Sequence, residues 1–220
     1  MLDELLDFII PHYCRLCGQF GTVLCESCKY DITSDASNHC LKCGVVISDH
    51  CHVCRMPYSR SWQALYRDDS IGVLISDYKY RSVRALHKSL AYILASRTPV
   101  IPPGTVIVPI PTIRPHIRVR GFDHTALFAK HFAKLKGCNY QPLLARATNT
   151  VQVGSSRAVR LRQMASAFQI TQPISSSTPY LIVDDVYTTG ATLDAAAKTL
   201  KNHGAQNIWV AVLARQQKAT

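Results

Sequence analysis

An α/β fold, with a mostly parallel sheet flanked by helices and a small cysteine-rich module ahead of it, is what this 220-residue sequence predicts. Three observations carry that expectation. Past residue 58, short apolar runs alternate with helical patterns, the order expected of parallel strands joined by helices. Eight of the nine cysteines fall before residue 55, in four CxxC pairs. The apolar run Leu181, Ile182, Val183 leads through Asp184 and Asp185 into a Thr/Gly-rich turn and then a helical pattern.

The N-terminus opens with Leu2, Leu5, Leu6, Ile9 and Ile10 at amphipathic spacing, a short helix expected to pack on the first cysteine knuckle. The cysteines then form a repeat: Cys14, Cys17, Gly18, Cys25 and Cys28 recur 26 positions later as Cys40, Cys43, Gly44, Cys51 and Cys54. A CxxC knuckle supplies two thiolates to one metal, and two knuckles complete a tetrahedral zinc site. Two zinc ions are expected, paired sequentially within each repeat; the short gap between knuckles leaves exchange of ligands between repeats as the alternative. Four thiolates leave no open coordination position, so the sites read as structural. Redox-active CxxC pairs would call for a thioredoxin-like context that is missing around these cysteines. His39, His50 and His52 read as surface residues and Cys138 as a buried apolar one. Residues 1–58 hold too few apolar side chains for an independent core, so metal should supply much of that module's folding energy.

Charge divides the chain at the same place. Residues 1–58 carry four Lys/Arg against seven Asp/Glu, a net of −3, and residues 59–220 carry 21 against seven, a net of +14. Two four-thiolate zinc sites would each add about −2, taking the whole chain from +11 to about +7. An acidic zinc module is a poor nucleic-acid clamp; the basic domain suits a polyanion. The apolar stretches are strand-sized and the N-terminus lacks a basic signal-like start, so a cytoplasmic protein with no transmembrane segment is expected.

In the second domain the expected order is a strand near Ala64–Tyr66, helices near Ile71–Lys79 and Ser82–Ala95, a strand at Val106–Pro109 and a helix near Thr125–Lys136. A short strand near Pro142–Ala145, a polar loop, a strand at Tyr180–Asp184, a helix from Ala191 to His203 and a strand at Ile208–Leu213 complete it. The turn after Asp185 sits at a helix N-terminus, where free backbone N–H groups and the helix dipole favour phosphate. Gly190 admits close approach, Ala191 opens the helix, and Thr188, Thr189 and Thr192 offer hydroxyl donors. Asp184 and Asp185 repel phosphate but accept hydrogen bonds from ribose hydroxyls. One end of the ligand is therefore sugar and the other phosphate.

The segment Val183-Asp-Asp-Val-Tyr-Thr-Thr-Gly-Ala-Thr192 resembles the phosphoribosyl pyrophosphate (PRPP) motif of type I phosphoribosyltransferases. Beside it, Val106-Ile-Val-Pro-Ile-Pro111 leads to Arg114, Arg118 and Arg120, whose guanidinium groups suit pyrophosphate, and one X-Pro bond there is expected to be cis. Residues 148–167, with Gln152, Arg157 and Arg160, read as a basic lid that would steady departing Mg-pyrophosphate and exclude water. Together with the four CxxC pairs, Tyr78-Lys79-Tyr80 and Arg120-Gly-Phe122, the chain resembles the ComF family, which joins a double zinc ribbon to a type I phosphoribosyltransferase domain. The resemblance implies domains at 1–58 and 59–220, PRPP with Mg as ligand, two structural zinc ions and a role in DNA uptake with competence partners. Asp184, Asp185 and Arg160 would be the catalytic residues. This chain departs from the family pattern at Asp123, His124 and Gln163. Two other functions compete with phosphoribosyl transfer to an unidentified acceptor. One is non-catalytic binding of single-stranded DNA, with Lys79, Arg81 and Arg84 beside Tyr78 and Tyr80 as the contact face. The other is ordinary nucleobase salvage, which does not account for the zinc module.

Overall fold

The computed structural model describes residues 12–34, 38–47, 51–81, 83–147 and 167–216. In chain order its elements are α1 (Glu26–Thr33), β1 (Arg60–Arg67), α2 (Asp69–Tyr80), α3 (Leu86–Arg97), β2 (Val106–Pro109), α4 (Arg114–Arg120) and α5 (His124–Lys136). β3 (Asn139–Tyr140), β4 (Leu144–Arg146), β5 (Phe168–Ile170), β6 (Pro179–Tyr187), α6 (Ala191–Asn202) and β7 (Asn207–Gln216) follow. Five strands form a parallel sheet in the order β1-β7-β6-β2-β3.

Alternation along the strands divides the core in two. Leu181 and Val183 of β6, with Trp209, Ala211 and Leu213 of β7, meet α2, α3 and α5 through Leu74, Leu90, Phe128 and Phe132. Tyr180 and Ile182, with Ile208, Val210 and Val212, meet Leu193, Ala197 and Leu200 of α6 on the opposite face. Burial on both faces is why β6 and β7 read as continuous apolar runs instead of alternating ones. Helix starts follow their caps: Asp68 accepts from the Ile71 N–H, and Asp123 from the Ala126 N–H.

The structure departs from expectation in four places. Arg114–Arg120, where the expected order of elements places no helix, is a helix with Pro near its start and Gly121 at φ +77° ending it; its run of arginines has no apolar periodicity to announce it. The strand expected near Pro142–Ala145 lies outside the main sheet and pairs antiparallel with β5, because Leu144 and Phe168 bury together in the α6-side core. β3 supplies the fifth main-sheet strand with only two residues. No peptide bond among the described residues is cis, so the expected cis X-Pro bond is absent: Pro109 stays in β2, and the Ile110 N–H continues the ladder to the Val183 carbonyl at 3.0 Å. The N-terminal amphipathic segment and most of the expected lid, including Gln152, Arg157, Arg160 and Gln163, lie outside the described residues.

Candidate functional site

Asp184 and Asp185 occupy the C-terminal half of β6, so strand alternation sends their side chains apart. Asp185 turns inward. It is 7% exposed, with its Oδ2 2.6 Å from Lys79 Nζ and 2.9 Å from His124 Nε2. Burial acts to raise this carboxyl, but the hydrogen bond from His124 and the Lys79 ammonium outweigh it and hold Asp185 below the usual carboxylate range. Asp184 is only half-buried and faces a cleft. Burial, reinforced by the like charge of Asp185, pushes its carboxyl up to about 8. Two adjacent acids thus have opposite electrostatics: one is paired with Lys79 and His124, and the other stands in the wall of a cavity.

The cleft encloses about 270 Å³. Lys79 and Tyr80 come from the end of α2, Arg120 and His116 from α4, His124 from the start of α5, and Arg146 from β4. Arg120 is buried, donates to His124 Nδ1 at 2.8 Å and stacks on the Tyr80 ring at 5.0 Å. Arg146 donates to the Pro111 carbonyl at 3.0 Å and covers the Phe168 ring at 4.7 Å. Three guanidinium or ammonium groups therefore converge opposite Asp184. Of the three arginines expected at pyrophosphate, Arg120 lines the cleft, whereas Arg114 and Arg118 point out from α4 and are exposed.

Asp184 and Thr192 also line a smaller hollow of about 20 Å³, formed by the turn with Thr188, Gly190 and Ala191. No side chain caps the N-terminus of α6, and the Thr189 hydroxyl accepts weakly from the Ala191 N–H at 3.4 Å. Gly190 is required twice over: its φ is +83°, and a Cβ there would stand 2.5 Å from the Tyr187 hydroxyl oxygen. The two hollows are therefore neighbours that share Asp184 and Thr192 in their walls, with basic groups beyond one and the helix N-terminus beyond the other.

Lys79, His116, His124 and Arg146 were not among the residues expected to touch the ligand. The Tyr78-Lys79-Tyr80 motif and the His124 departure were the available signals; nothing local marks His116 or Arg146, which reach the cleft only through folding. Of the expected DNA-contact face, Tyr80, Arg81 and Arg84 are exposed, whereas Tyr78 and Lys79 are turned to partners in the fold. Tyr78 is buried and donates to the His124 carbonyl at 2.6 Å, and Lys79 is spent on Asp185. Arg84 lies over the Phe122 ring at 5.7 Å, and Arg81 is 3.5 Å from Asp77.

The eight N-terminal cysteines gather as Cys14, Cys17, Cys25, Cys28 and as Cys40, Cys43, Cys51, Cys54, each set with its sulfurs within 4.8 Å of one another. Sulfur separations of 3.6 Å for Cys17–Cys25 and 3.7 Å for Cys43–Cys51 fit the edge of a ZnS₄ tetrahedron, about 3.8 Å for Zn–S bonds of about 2.3 Å. Pairing is sequential. Each knuckle is the same hairpin: the Cys14 N–H meets the Gln19 carbonyl and the Gly18 N–H the Cys14 carbonyl, and both bonds recur at Cys40–Val45 and Gly44–Cys40. Both tetrads fit zinc as structural sites. His39 packs edge-on against Tyr66, His52 is exposed, and Cys138 is half-buried beside the first core.

Residues 146–220 match the family described as phosphoribosyl transferase domain. Across most of its length the chain resembles competence protein F of Haemophilus influenzae, 27% identical over 87% of this chain and 90% of that protein. It also resembles the DNA utilization protein YhgH of Escherichia coli O157:H7, 26% identical over 94% and 98%. Competence protein ComFC of Bacillus subtilis is 26% identical over 82% and 79%. Two solved structures overlap part of the chain. One is an allosteric regulatory enzyme of purine biosynthesis (TM-score 0.47, 19% identity, 62% of this chain and 29% of that one). The other is the glutamine PRPP amidotransferase of B. subtilis (TM-score 0.46, 18%, 62% and 30%). The chain spans under a third of either structure. With its paired cysteine tetrads, parallel sheet and acidic-pair turn, the chain resembles ComF-type competence proteins over most of its length and carries a segment that matches the phosphoribosyl transferase domain.

Proposed function

We propose that the cleft binds PRPP together with Mg and that the protein transfers phosphoribose to a still unidentified acceptor in the handling of incoming DNA. The observation that carries this reading is the adjacency of cleft and turn, which share Asp184 and Thr192, with cationic groups on one side and a helix N-terminus on the other. A ligand carrying phosphates on both sides of a ribose has that shape and charge. Asp184 would accept from the ribose hydroxyls, and the turn from Thr188 to Thr192 would hold the 5′-phosphate. Arg120 would take the pyrophosphate, with Arg157 and Arg160 closing over it. Asp185 acts at one remove: it orients Lys79 and His124. The cysteine module, residues 1–58, and the transferase domain, residues 59–220, would be the two folding units.

As pyrophosphate leaves, ribose C1 becomes cationic, and a fixed cluster of positive groups would steady the departing anion. Transfer of this kind rests on positioning more than on a dedicated base. Calorimetry should detect Mg-dependent PRPP binding that the Asp184→Asn, Asp185→Asn double variant loses. Binding that survives both substitutions would sink the reading. Incubation with PRPP and a panel of amine and nucleobase acceptors would then identify the reaction, and efficient turnover of adenine, guanine or uracil would move it to ordinary salvage.

The net +14 of residues 59–220 favours a second reading, in which the same domain holds single-stranded DNA without catalysis. It predicts affinity that falls steeply with salt. An unchanged mobility of labelled oligonucleotides at moderate ionic strength would exclude it.

A further inference from the structure

We infer that His124 and Arg120 make ligand capture proton-coupled: a pyrophosphate group entering the cleft draws the Arg120 guanidinium away from His124, and His124 takes up a proton from solvent at Nδ1. This rests on the reading that the cleft receives a phosphorylated ligand.

The geometry assigns the starting state. A guanidinium can only donate, so the 2.8 Å contact from Arg120 Nη1 requires a lone pair on His124 Nδ1. The ring proton is then on Nε2, 2.9 Å from the Asp185 carboxylate. His124 is therefore neutral while Arg120 rests on it, because a proton on Nδ1 would point at a cation. The protonated state also has its partner in place. Thr112 Oγ1 lies 3.3 Å from Nδ1 and directs its own hydrogen to Asp123 Oδ1 at 2.8 Å, which leaves its oxygen lone pairs available to accept. Once Arg120 departs, an imidazolium would donate to Asp185 on one side and Thr112 on the other.

The charges around the ring favour that exchange. Asp185 from β6 and Asp123 before α5 are acidic; Lys79 from α2 already shares Asp185, and Arg120 from α4 is the cation that moves. Tyr78 faces the ring edge-on with its hydroxyl committed to the His124 carbonyl, and Asp184, His116 and Arg146 stand on the cleft walls. Transfer of Arg120 to an anion removes the positive charge that, among the described residues, is held against Nδ1 and adds negative charge nearby, and both changes stabilise the imidazolium. His124 is thus a positioning residue: it stores Arg120 aimed at the cleft and compensates for its release.

The probe is inorganic pyrophosphate, titrated by calorimetry into the full-length protein in buffers of differing ionisation enthalpy. His124→Gln is the comparison, since glutamine can donate to Asp185 and accept from Arg120 but cannot titrate. The native protein should take up a large part of one proton more than the variant. Its affinity should also fall up to about tenfold per pH unit above neutrality beyond the fall seen in the variant. Equal proton uptake by the two proteins overturns the inference while leaving pyrophosphate binding intact. Absence of pyrophosphate binding in the native protein overturns the binding reading and this inference with it. A readout independent of any variant is the ¹⁵N resonance of His124 Nδ1 in the native protein, which should move from the bare to the protonated position on adding pyrophosphate; a resonance that stays bare overturns the inference.

Discussion

The two cysteine units are repeats in sequence and in hairpin geometry, yet they pack on opposite faces of the sheet. The first sends Cys14, Val23, Leu24 and Cys25 into the core shared with α2 and α3, and it ends in a helix, α1. Its Arg15 pairs with buried Asp77 at 2.5 Å, and the Thr33 carbonyl accepts from Arg97 of α3. The second contributes Leu41 to the α6-side core. It is held by Arg215 at the end of β7, whose Nε donates to the Leu41 carbonyl at 2.9 Å and whose guanidinium lies against Gly44. Identical metal knuckles have therefore become two different clamps on one sheet edge, β1–β7. The cysteine-knuckle pattern sets the local hairpin, and the residues around it choose the face.

The largest test of that difference is removal of one ligand from each unit. Cys14→Ser should cost about 3–5 kcal/mol and Cys40→Ser about 2–3, each lowering bound zinc from two ions to one. Chemical denaturation with metal analysis would show it, and equal costs would break the contrast. Next are the two arginine anchors. Arg15→Ala leaves Asp77 with the more distant Arg81 as its ion-pair partner among the described residues, at a cost of about 2–3 kcal/mol, while Arg215→Ala loses one charged hydrogen bond and its packing, about 1–2 kcal/mol. Thermal unfolding of both variants should keep that order.

The cleft end of the sheet extends the comparison from clamped charges to a crowded one. Because the Asp184 carboxyl is raised in the fold to about 8, the folded state keeps a proton that the unfolded chain has lost. Stability should therefore decline as pH rises from about 4 to about 8. Asp184→Asn removes that slope and should stabilise the protein by on the order of 1–2 kcal/mol above pH 8, with no gain below about pH 4. Asp185 is shifted downward, so its contribution is present above the unfolded value and lost as pH falls through the folded one; Asp185→Asn should destabilise at neutral pH. Urea titrations across pH would separate the two acids. The smallest effect returns to the knuckles. Gly18 and Gly44 share a left-handed φ, but a Cβ at Gly44 would sit 3.1 Å from the Arg215 guanidinium whereas one at Gly18 meets nothing within 4 Å. Gly44→Ala should cost a few tenths of a kcal/mol more than Gly18→Ala, beyond the roughly 1 kcal/mol of backbone strain common to both.

Local patterning determined much of this protein before any fold was known. The 26-residue offset announced both tetrads, the runs at 106–109, 180–184 and 208–213 announced the central strands, and the order Asp-Asp through Thr-Gly-Ala-Thr announced the turn that opens α6. Those features are encoded within a few residues of one another. What tertiary structure decided is which of two adjacent acids faces the cleft, because that depends on Lys79 and His124 arriving at Asp185 from elements 106 and 61 residues away. It also decided that Arg120 enters the cleft while Arg114 and Arg118 face out, a consequence of an unannounced helix that separates their directions. Two like knuckles took opposite faces of the sheet for the same reason: a side chain's role follows from what the rest of the chain brings against it, and no short window of sequence contains that information.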